Sequence, residues 1–268
     1  MYLQPPADSI DFREVWAENL DKEFEIIRSI IDDYYCVAMD TEFPGVILKP
    51  LRIFPNTNEE NYQCLKENVN TMKLIQLGLT LTNEKGDLPT CGETGLFIVW
   101  QFNFRDFNPS EDIYNSDSIH LLRGCGIDFE KHVAEGVDAT RFAELLMSSG
   151  VVLNESVYWV TFQCGHDFGY LLKLLTGREL PETREEFFKF IKLYFPVIYD
   201  IKHMIQFVEL YGGLNKVART LKVDRVGTSH QAGSDSLLTS SVFRTLRDTR
   251  LQESIETYAG VMHGLGIN

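Results

Sequence analysis

The chain has 268 residues with 39 acidic and 25 basic side chains, which gives a formal net charge of −14. This charge argues against a broad basic face that grips long nucleic acid. It leaves room for an enzyme that holds a few nucleotides with divalent cations and local Lys or Arg. A hydrophobic content of 44% can fill a substantial core, so we expect one globular domain over residues 1–268.

The first residues and the cysteines of the chain bear on the cellular compartment of the protein. The opening MYLQPPADS lacks the basic and apolar regions of a signal peptide, and no apolar run approaches the ~20 residues that span a bilayer. We therefore expect a soluble intracellular protein. The five cysteines contain no C-x-x-C pair, which predicts reduced thiols and neither a disulfide framework nor a zinc site.

The first part of the chain predicts two helices and three strands. Apolar residues over 10–31 recur at roughly helical spacing and predict one long amphipathic helix, and residues 59–72 predict a second. The β-branched and aromatic content of residues 35–43 is typical of a strand. Residues 73–83 and 96–104 predict two more strands around an "EKGD" turn, so the first three strands should be antiparallel.

The second part of the chain predicts helices alternating with strands. Strands are predicted at 158–163 and 196–200, and helices at 112–122, 129–135, 139–148, 168–177, 184–194, 203–211, 215–221 and 234–249. Three antiparallel strands followed by two parallel strands predict an α/β fold with a mixed central sheet surrounded by helices. That order matches a ribonuclease H-like fold.

Two carboxylates, Asp40 and Glu42, interrupt the apolar strand at residues 35–43. Side chains at i and i+2 leave the same face of a strand, so both acids point the same way. Like charges on one face of a cleft repel and are costly to desolvate unless a cation or a shared proton compensates. The pair therefore calls for a positively charged partner.

Three residues further along the chain could complete a site with this pair. Asp167 follows a predicted strand at the start of a helix, and Asp235 lies in the first turn or two of another helix. Acids at helix starts often serve only as caps or first-turn residues, and a lone histidine such as His230 is usually structural. Each of the three residues, taken alone, therefore has an ordinary structural explanation.

The four acids together favour divalent cations. Asp40 and Glu42 share a strand face, and Asp167 and Asp235 lie at helix starts that flank one end of the sheet. Four converging carboxylates need cations, and oxygen-only ligands suit Mg²⁺ or Mn²⁺. Two such ions about 3.5–4 Å apart are known to catalyse the hydrolysis of phosphodiesters.

Three stretches of the sequence carry a resemblance to a known superfamily. In order, "MDTEFPG", "CGHDFGYLLK" and "SHQAGSDSLLT" resemble the three exonuclease motifs of the DEDD superfamily, and His230 before Asp235 is the mark of its histidine branch, DEDDh. More narrowly, "LIQLGLT", "WQFNF", "FAELLMSSGVVL" and "YFPVIYD" resemble the Caf/Pop-type deadenylase, the nuclease subunit of the Ccr-Not complex. Plant members look most similar.

The resemblance implies an activity and a set of site residues. It implies a metal-dependent 3′-to-5′ exoribonuclease that shortens mRNA poly(A) tails and releases 5′-AMP with two divalent ions, Mg²⁺ or Mn²⁺. Carried over by motif position, Asp40 would bridge both ions, Glu42 and Asp235 would support the ion that activates water, and Asp167 the ion beside the leaving oxygen. His230 would act as general base, because imidazole titrates near neutral pH.

Phe43 and the residues just before Asp167 lie next to these ligands. Phe43 follows Glu42 and could stack on the terminal base, although an aromatic residue at a strand end is as often core. Many family members read approximately "HSGYDFGY" at the second motif, whereas this chain has Gln163, Cys164 and His166 there. The difference leaves Asp167 in place and bears on substrate binding and on the rate of the reaction. Residues 52–58 and 90–96 receive no role.

Two other functions compete with a poly(A) ribonuclease. A nuclease fold that has lost catalysis could be an adaptor in an mRNA-decay complex, but no ligand position is missing here. A DEDDh exonuclease of broader substrate range would share the same motif chemistry. The resemblance also implies partners, namely the poly(A) tail, the Not scaffold, a Ccr-type deadenylase and Tob/Btg-like or RNA-binding recruiters. It further implies a cytoplasmic and nuclear location.

Overall fold

Six strands form one mixed sheet. The computed structural model describes residues 5–49, 57–92, 94–251 and 255–267. The strands are β1 (Ile10–Val15), β2 (Cys36–Glu42), β3 (Gln76–Thr82), β4 (Phe97–Asn103), β5 (Tyr158–Thr161) and β6 (Val197–Asp200). Their order across the sheet is β1-β4-β3-β2-β5-β6. β2, β3 and β4 pair antiparallel, whereas β1 is parallel to β4, and β5 and β6 run parallel to β2.

Helices cover both faces of this sheet. Those within the described residues are α1 (Leu20–Ile30), α2 (Asn58–Thr71), α3 (Ser116–Gly124), α4 (Phe129–Glu135), α5 (Ala139–Met147), α6 (Gly165–Thr176), α7 (Arg184–Tyr194), α8 (Ile201–Met204), α9 (Leu214–Thr220) and α10 (Ala232–Thr249). Short 3₁₀ turns lie at Ala7–Ser9, Ile205–Val208 and Ile255–Tyr258. A small hairpin of β7 (Val261–Met262) and β8 (Gly266–Ile267) follows the last of them.

The predicted long helix over residues 10–31 is wrong. Its first part is the edge strand β1, and α1 begins only at Leu20. Asn19 closes the turn between them, because its Oδ1 accepts a hydrogen bond from the Trp16 N–H at 2.8 Å and its Nδ2 donates to Glu14 O at 3.0 Å. The apolar spacing across this turn imitates a helix, and the strand is revealed only by its pairing with β4, far along the chain.

The predicted helix at 203–211 is also wrong in extent. The chain makes only the short helix α8 and one 3₁₀ turn there, and Glu209 ends the turn in a left-handed conformation with φ 54°. Among the other predictions, those for 129–135 and 184–194 coincide with α4 and α7, and the remaining helices and strands are confirmed with shifted ends. Most of segment 52–58 and residue 93 lie outside the described residues.

The two largest hydrophobic clusters among the described residues lie on opposite faces of the sheet. On one face, alternate residues such as Val37, Met39 and Leu79 pack against α1, α2, α5 and α6. On the other face, Ala38 and Val160 pack against α10. α10 is buried from Ala232 through Phe243 because its first half lies directly over β2 and β3. Among the described residues, no helix combines the length and the apolar character needed to cross a membrane.

An aromatic cluster in the first core allows a test of this packing. The ring of Phe142 on α5 lies 5.4, 5.0 and 5.1 Å from the rings of Phe24, Phe102 and Phe104. We expect Phe142→Ala to lower the free energy of unfolding by about 3–5 kcal/mol, because the buried cavity cannot collapse fully. Urea denaturation measures this loss.

The matched control is Leu193→Ala on α7, whose side chain is 57% exposed. It should change the free energy of unfolding by no more than about 0.5 kcal/mol. A loss at Phe142 as small as the loss at Leu193 would show that the cluster is not packed as described.

Candidate active site

Asp40 and Glu42 lie on one face at the carboxyl end of β2, as predicted. In the antiparallel register Asp40 is opposite Gly78 of β3, and Glu42 is opposite Gln76. Directly opposed residues share a face of the sheet, so these four positions all face α10. The face that carries the two acids is therefore the face on which α10 packs.

Gly78 allows α10 to approach this face closely. A Cβ atom at Gly78 would lie 1.9 Å from Ala232 O and 2.6 Å from Gly233 N, so any side chain there would push the first turn of α10 off the strand. Asp235 lies in that first turn. The approach brings ligand atoms of Asp40, Glu42 and Asp235 within 4.8 Å of one another.

Asp167 reaches the same strand end from the opposite face of the sheet. It lies in the first turn of α6 and is 7% exposed. Thr41, whose side chain leaves β2 on that face, donates from Oγ1 to Asp167 Oδ1 at 2.5 Å. The two predicted helix-start acids thus flank the end of β2 from opposite sides, and Thr41 couples Asp167 to the strand.

A buried carboxylate, Asp200, fixes the turn that precedes α6. Asp200 lies at the end of β6 and is fully buried. Its Oδ1 accepts from the N–H groups of Gln163 (2.8 Å) and Lys202 (2.9 Å), and its Oδ2 accepts from the His263 N–H (2.9 Å) and more weakly from Cys164. Gln163 can therefore keep its left-handed backbone, with φ 64°, immediately before the helix that carries Asp167.

Asp40, Glu42 and Asp167 have raised pKa values. Burial, and then the charges of Asp235, Asp167 and Glu42, raise the pKa of Asp40 well above its usual range. Burial followed by the charges of Asp235 and Asp167 raises the pKa of Glu42 to about 8. Burial raises the pKa of Asp167 to about 7, against the opposing effect of the Thr41 hydrogen bond. The cluster resists full ionisation without a cation.

Arg225 and His230 both contact Asp235. The Arg225 guanidinium donates to Asp235 Oδ1 at 2.6 Å and is itself held by Asn215 Oδ1 at 2.8 Å and Ser234 Oγ at 2.9 Å. The backbone N–H of His230 donates to Asp235 Oδ2 at 2.8 Å. His230 has a left-handed backbone with φ 62°, and its side chain lines the same groove as Asp40 and Glu42.

The groove beside the cluster has a volume of about 460 Å³ and a basic wall. We call its lining by Asp40, Glu42 and Asp235 the acidic floor, and its lining by residues of α9 the basic wall. From α9, the exposed side chains of Lys216 and Arg219 line the groove. A groove with an acidic floor and a basic wall suits a ligand whose phosphates contact the basic side chains directly and the carboxylates through bound cations.

Phe43 is packed against α6. Its ring stacks on His166 with centroids 5.2 Å apart and planes 15° apart, and its centroid lies 5.1 Å from that of the Tyr170 ring, with planes 33° apart. His166 and Cys164, which distinguish this chain at the second motif, are therefore accommodated by packing with Phe43 and by hydrogen bonds to Asp200. The proposed contact between Phe43 and a base stays a prediction.

The donor set fits divalent cations. Asp40, Glu42 and Asp235 offer oxygen ligands within one small volume, and Asp167 adds a fourth carboxylate close enough to raise the pKa values of two of them. Hard oxygen ligands without sulfur or imidazole in the cluster are the set that Mg²⁺ and Mn²⁺ take. A bound cation would relieve the repulsion among the acids.

The mixed sheet and the carboxylate cluster together define a nuclease of the ribonuclease H-like class. The chain belongs to the CAF1 ribonuclease family, because the model described as CAF1 family ribonuclease matches residues 15–144 and 142–243. CCR4-associated factor 1 homolog 7 of Arabidopsis thaliana is 58% identical over 261 residues, covering 97% of this chain and 95% of the relative. Poly(A) ribonuclease pop2 of Schizosaccharomyces pombe is 45% identical over 256 residues, covering 95% of this chain and 75% of the relative.

Two solved structures extend the comparison to the fold. The Mg²⁺- and Mn²⁺-bound form of S. pombe Pop2p superposes with a TM-score of 0.88 at 44% identity and covers 96% of this chain and 100% of that chain. The structure of the yeast NOT1 MIF4G domain co-crystallised with CAF1 matches with a TM-score of 0.81 at 31% identity, covering 98% of this chain and 100% of that chain. The predicted family and the predicted ribonuclease H-like fold are confirmed.

Several residues at the site were missed by the sequence analysis. Thr41 and Asp200 lie inside motif strings but carry no separate signal, since a threonine or an acid at a strand end is common. Arg225 bonds Asp235 from a loop ten residues earlier, and Lys216 and Arg219 lie on a short helix with ordinary surface composition. Only the folded chain brings these residues to the carboxylates.

The raised pKa of Glu42 allows a test by stability. The Glu42 carboxyl has an ordinary pKa of 4.5 and a folded value of about 8, so the metal-free folded state loses stability relative to the unfolded state as pH rises through this window. We therefore expect Glu42→Gln in EDTA to gain in melting temperature over the parent protein as pH rises from about 5 to about 8. Added Mn²⁺ should stabilise the parent more at the higher pH, since protons compete with the metal.

The matched control is Glu25→Gln at an exposed position of α1. Its melting temperature relative to the parent should not change with pH over the same range. If the melting temperature of Glu42→Gln relative to the parent stays constant or falls with rising pH, the carboxylates do not repel one another as described.

Proposed function

We propose that this protein is a metal-dependent 3′-to-5′ exoribonuclease that shortens mRNA poly(A) tails and releases 5′-AMP. One observation carries the proposal: Asp40, Glu42, Asp235 and His230 line one groove at the end of β2, with Asp167 joined to the same strand through Thr41. The S. pombe relative, which is named a poly(A) ribonuclease, supports the substrate class.

The four carboxylates would hold two divalent ions, Mg²⁺ or Mn²⁺. Asp40, which lies close enough to the other three acids for their charges to raise its pKa, would bridge both ions, while Glu42 and Asp235 would support the ion that activates water and Asp167 the ion beside the leaving oxygen. When bound, such ions supply Lewis-acid activation of the attacking water and stabilisation of charge on the leaving oxygen. The Mg²⁺- and Mn²⁺-bound form of Pop2p supports this choice of cations.

The remaining residues of the groove would orient the substrate and move a proton. His230, held at its backbone by Asp235, would accept the proton of the attacking water as general base. Lys216 and Arg219 would contact the phosphates of the incoming strand, and Arg225 would fix one oxygen of Asp235. Phe43, whose ring also stacks on His166, would stack against the terminal base.

The same proposal extends to the assembly and the location of the protein. The co-crystal of a NOT1 MIF4G domain with CAF1 supports a Not-type scaffold as a partner. A Ccr-type deadenylase and Tob/Btg-like or RNA-binding recruiters would supply further RNA contacts, which suits a chain with net charge −14. Residues 1–268 would act as one nuclease domain in the cytoplasm and the nucleus.

A time course on labelled RNA tests the activity. Purified protein should shorten 5′-labelled RNA that ends in oligo(A) step by step from the 3′ end in Mg²⁺ or Mn²⁺, and EDTA should stop the reaction. Matched RNA with a non-A tail should be degraded far more slowly. Asp40→Asn and Asp167→Asn should each lower the rate by at least about 10³-fold, because each removes a carboxylate ligand from the cluster.

Each outcome decides between the competing functions. Equal degradation of both RNAs would replace the deadenylase with a DEDDh exonuclease of broader range. Absence of shortening by folded protein in either metal would favour the adaptor function. Shortening that survives Asp40→Asn would identify a contaminating nuclease.

The basic wall of the groove allows a separate test of RNA binding. Lys216→Gln and Arg219→Gln should each raise KM for oligo(A) RNA several-fold with little change in kcat. Because each removes one phosphate contact, the dependence of log KM on log salt should become shallower by about 0.7 per residue.

The matched control is Lys189→Gln on α7, where the exposed lysine pairs with Glu185 away from the groove. It should leave KM and its salt dependence unchanged. If all three variants behave alike, the groove wall does not bind RNA.

A further inference from the structure

The backbone of the loop before α10 is bonded to side chains of the sheet. α10 has no cap from its own N-cap residue, Gln231. Instead, the N–H of Gly233 donates to Gln101 Oε1 on β4 at 2.8 Å, and the N–H of Ala232 donates to Gln76 Oε1 on β3 at 3.3 Å. Two of the helix's free N–H groups are therefore satisfied by another part of the fold.

The side chain of Gln231 is bonded to the same two strand residues. Its Oε1 accepts from Gln101 Nε2 at 2.8 Å and from Gln76 Nε2 at 3.2 Å, and its Nε2 donates to Cys125 O after α3 at 2.9 Å. Gln76 and Gln101 are 2% and 3% exposed, so these bonds lie in the protein interior. We call the set of Gln76, Gln101 and Gln231 the amide clamp.

The amide clamp is in turn fixed by polar groups behind it. Gln76 Nε2 also donates to Asn103 Oδ1 at 2.8 Å, and Gln101 Nε2 also donates to Glu14 Oε1 at 2.9 Å. Asn103 Nδ2 donates to the other oxygen of Glu14 at 2.7 Å. Because each amide is bonded at both ends, its orientation is determined by its neighbours.

We propose that the amide clamp positions the general base and one carboxylate of the active site. Gln231 follows His230, and Asp235 lies one turn beyond it on α10, so the clamp sets where both groups lie relative to Asp40 and Glu42. Gln76 is the register partner of Glu42, and Gly78 beside it admits the first turn of α10. This inference rests on the proposed nuclease function and assigns positioning residues to it.

The chemistry of the clamp explains why the strand residues are amides. An amide oxygen accepts from the helix N–H groups as a carboxylate would, while its nitrogen donates to Gln231. A carboxylate at position 76 would add charge opposite Glu42, whose pKa is already raised by neighbouring acids, and one at position 101 would add charge against Glu14. The amide provides the cap without increasing that repulsion.

The test compares two clamp variants with a matched control in the same helix–sheet contact. Gln101→Met and Gln76→Met each remove the cap of one helix N–H and one bond to Gln231. Thr80→Val removes the buried bond of Thr80 Oγ1 to Ser236 Oγ at 2.8 Å, which joins the same β3 to the same α10 one turn further on. All three variants lose a buried hydrogen bond between sheet and helix.

The readouts are kcat and KM on oligo(A) RNA, the Kd for Mn²⁺ by calorimetry, and the melting temperature. The clamp variants should lose about 10- to 100-fold in kcat with KM within about threefold of the parent, because a small misplacement of reacting groups is costly while RNA contacts on α9 remain. Their Kd for Mn²⁺ should rise several-fold. Thr80→Val should keep kcat and Kd within about twofold at a similar loss of melting temperature.

The outcomes separate this inference from the proposed function. Activity of the parent protein on oligo(A) tests the proposed function. The Kd for Mn²⁺ reports on the geometry of the site even if the protein has no such activity. If Gln101→Met and Gln76→Met keep kcat and Kd within about twofold of the parent, or if Thr80→Val loses as much as they do, the clamp is only a structural contact. If one clamp variant fails to fold, the other carries the test.

Discussion

The close approach of α10 to β3 at Gly78 is the constraint on which the rest of the site depends. The strand end carries Asp40 and Glu42, and only a glycine opposite Asp40 lets a helix turn lie directly on the sheet there. The approach brings Asp235 to the other two acids and makes the first N–H groups of α10 available to the strand amides. Packing of a helix on a sheet, the same interaction that builds the core, thus determines the spacing of the carboxylates.

This packing creates an electrostatic cost that the fold distributes over two faces of the sheet. Three acids meet on the α10 face, and Asp167 comes from α6 on the other face, where Thr41 and the first turn of the helix stabilise its charge. Arg225 offsets part of the repulsion through its bond to Asp235. Placing the fourth acid across the sheet brings it to the same strand end without adding it to the tight cluster.

The sequence predicted most of the elements and the site residues but not the contacts that support them. Asp40 and Glu42 were recognisable because a period of two places them on one face, whereas Asp167 and Asp235 lay at predicted helix starts and were assigned by their motif strings. β1 was hidden because its pairing with β4 is non-local and the turn at Asn19 preserves an apparent helical spacing. Gln76 and Gln101 stood in strings that indicated the family, yet a glutamine in a strand reveals its partner only when α10 is in place.

The negative charge of the whole chain couples cation binding to RNA binding. A chain with net charge −14 and three acids on the floor of its groove repels the phosphates of RNA, and the exposed basic residues on the α9 wall offset only part of that field. Two divalent cations bound to the four carboxylates would neutralise their charge, so that the floor no longer repels a phosphate and the basic wall attracts it. Cation binding and RNA binding would therefore favour each other, and the affinity for RNA would depend on cation concentration as well as on the basic wall.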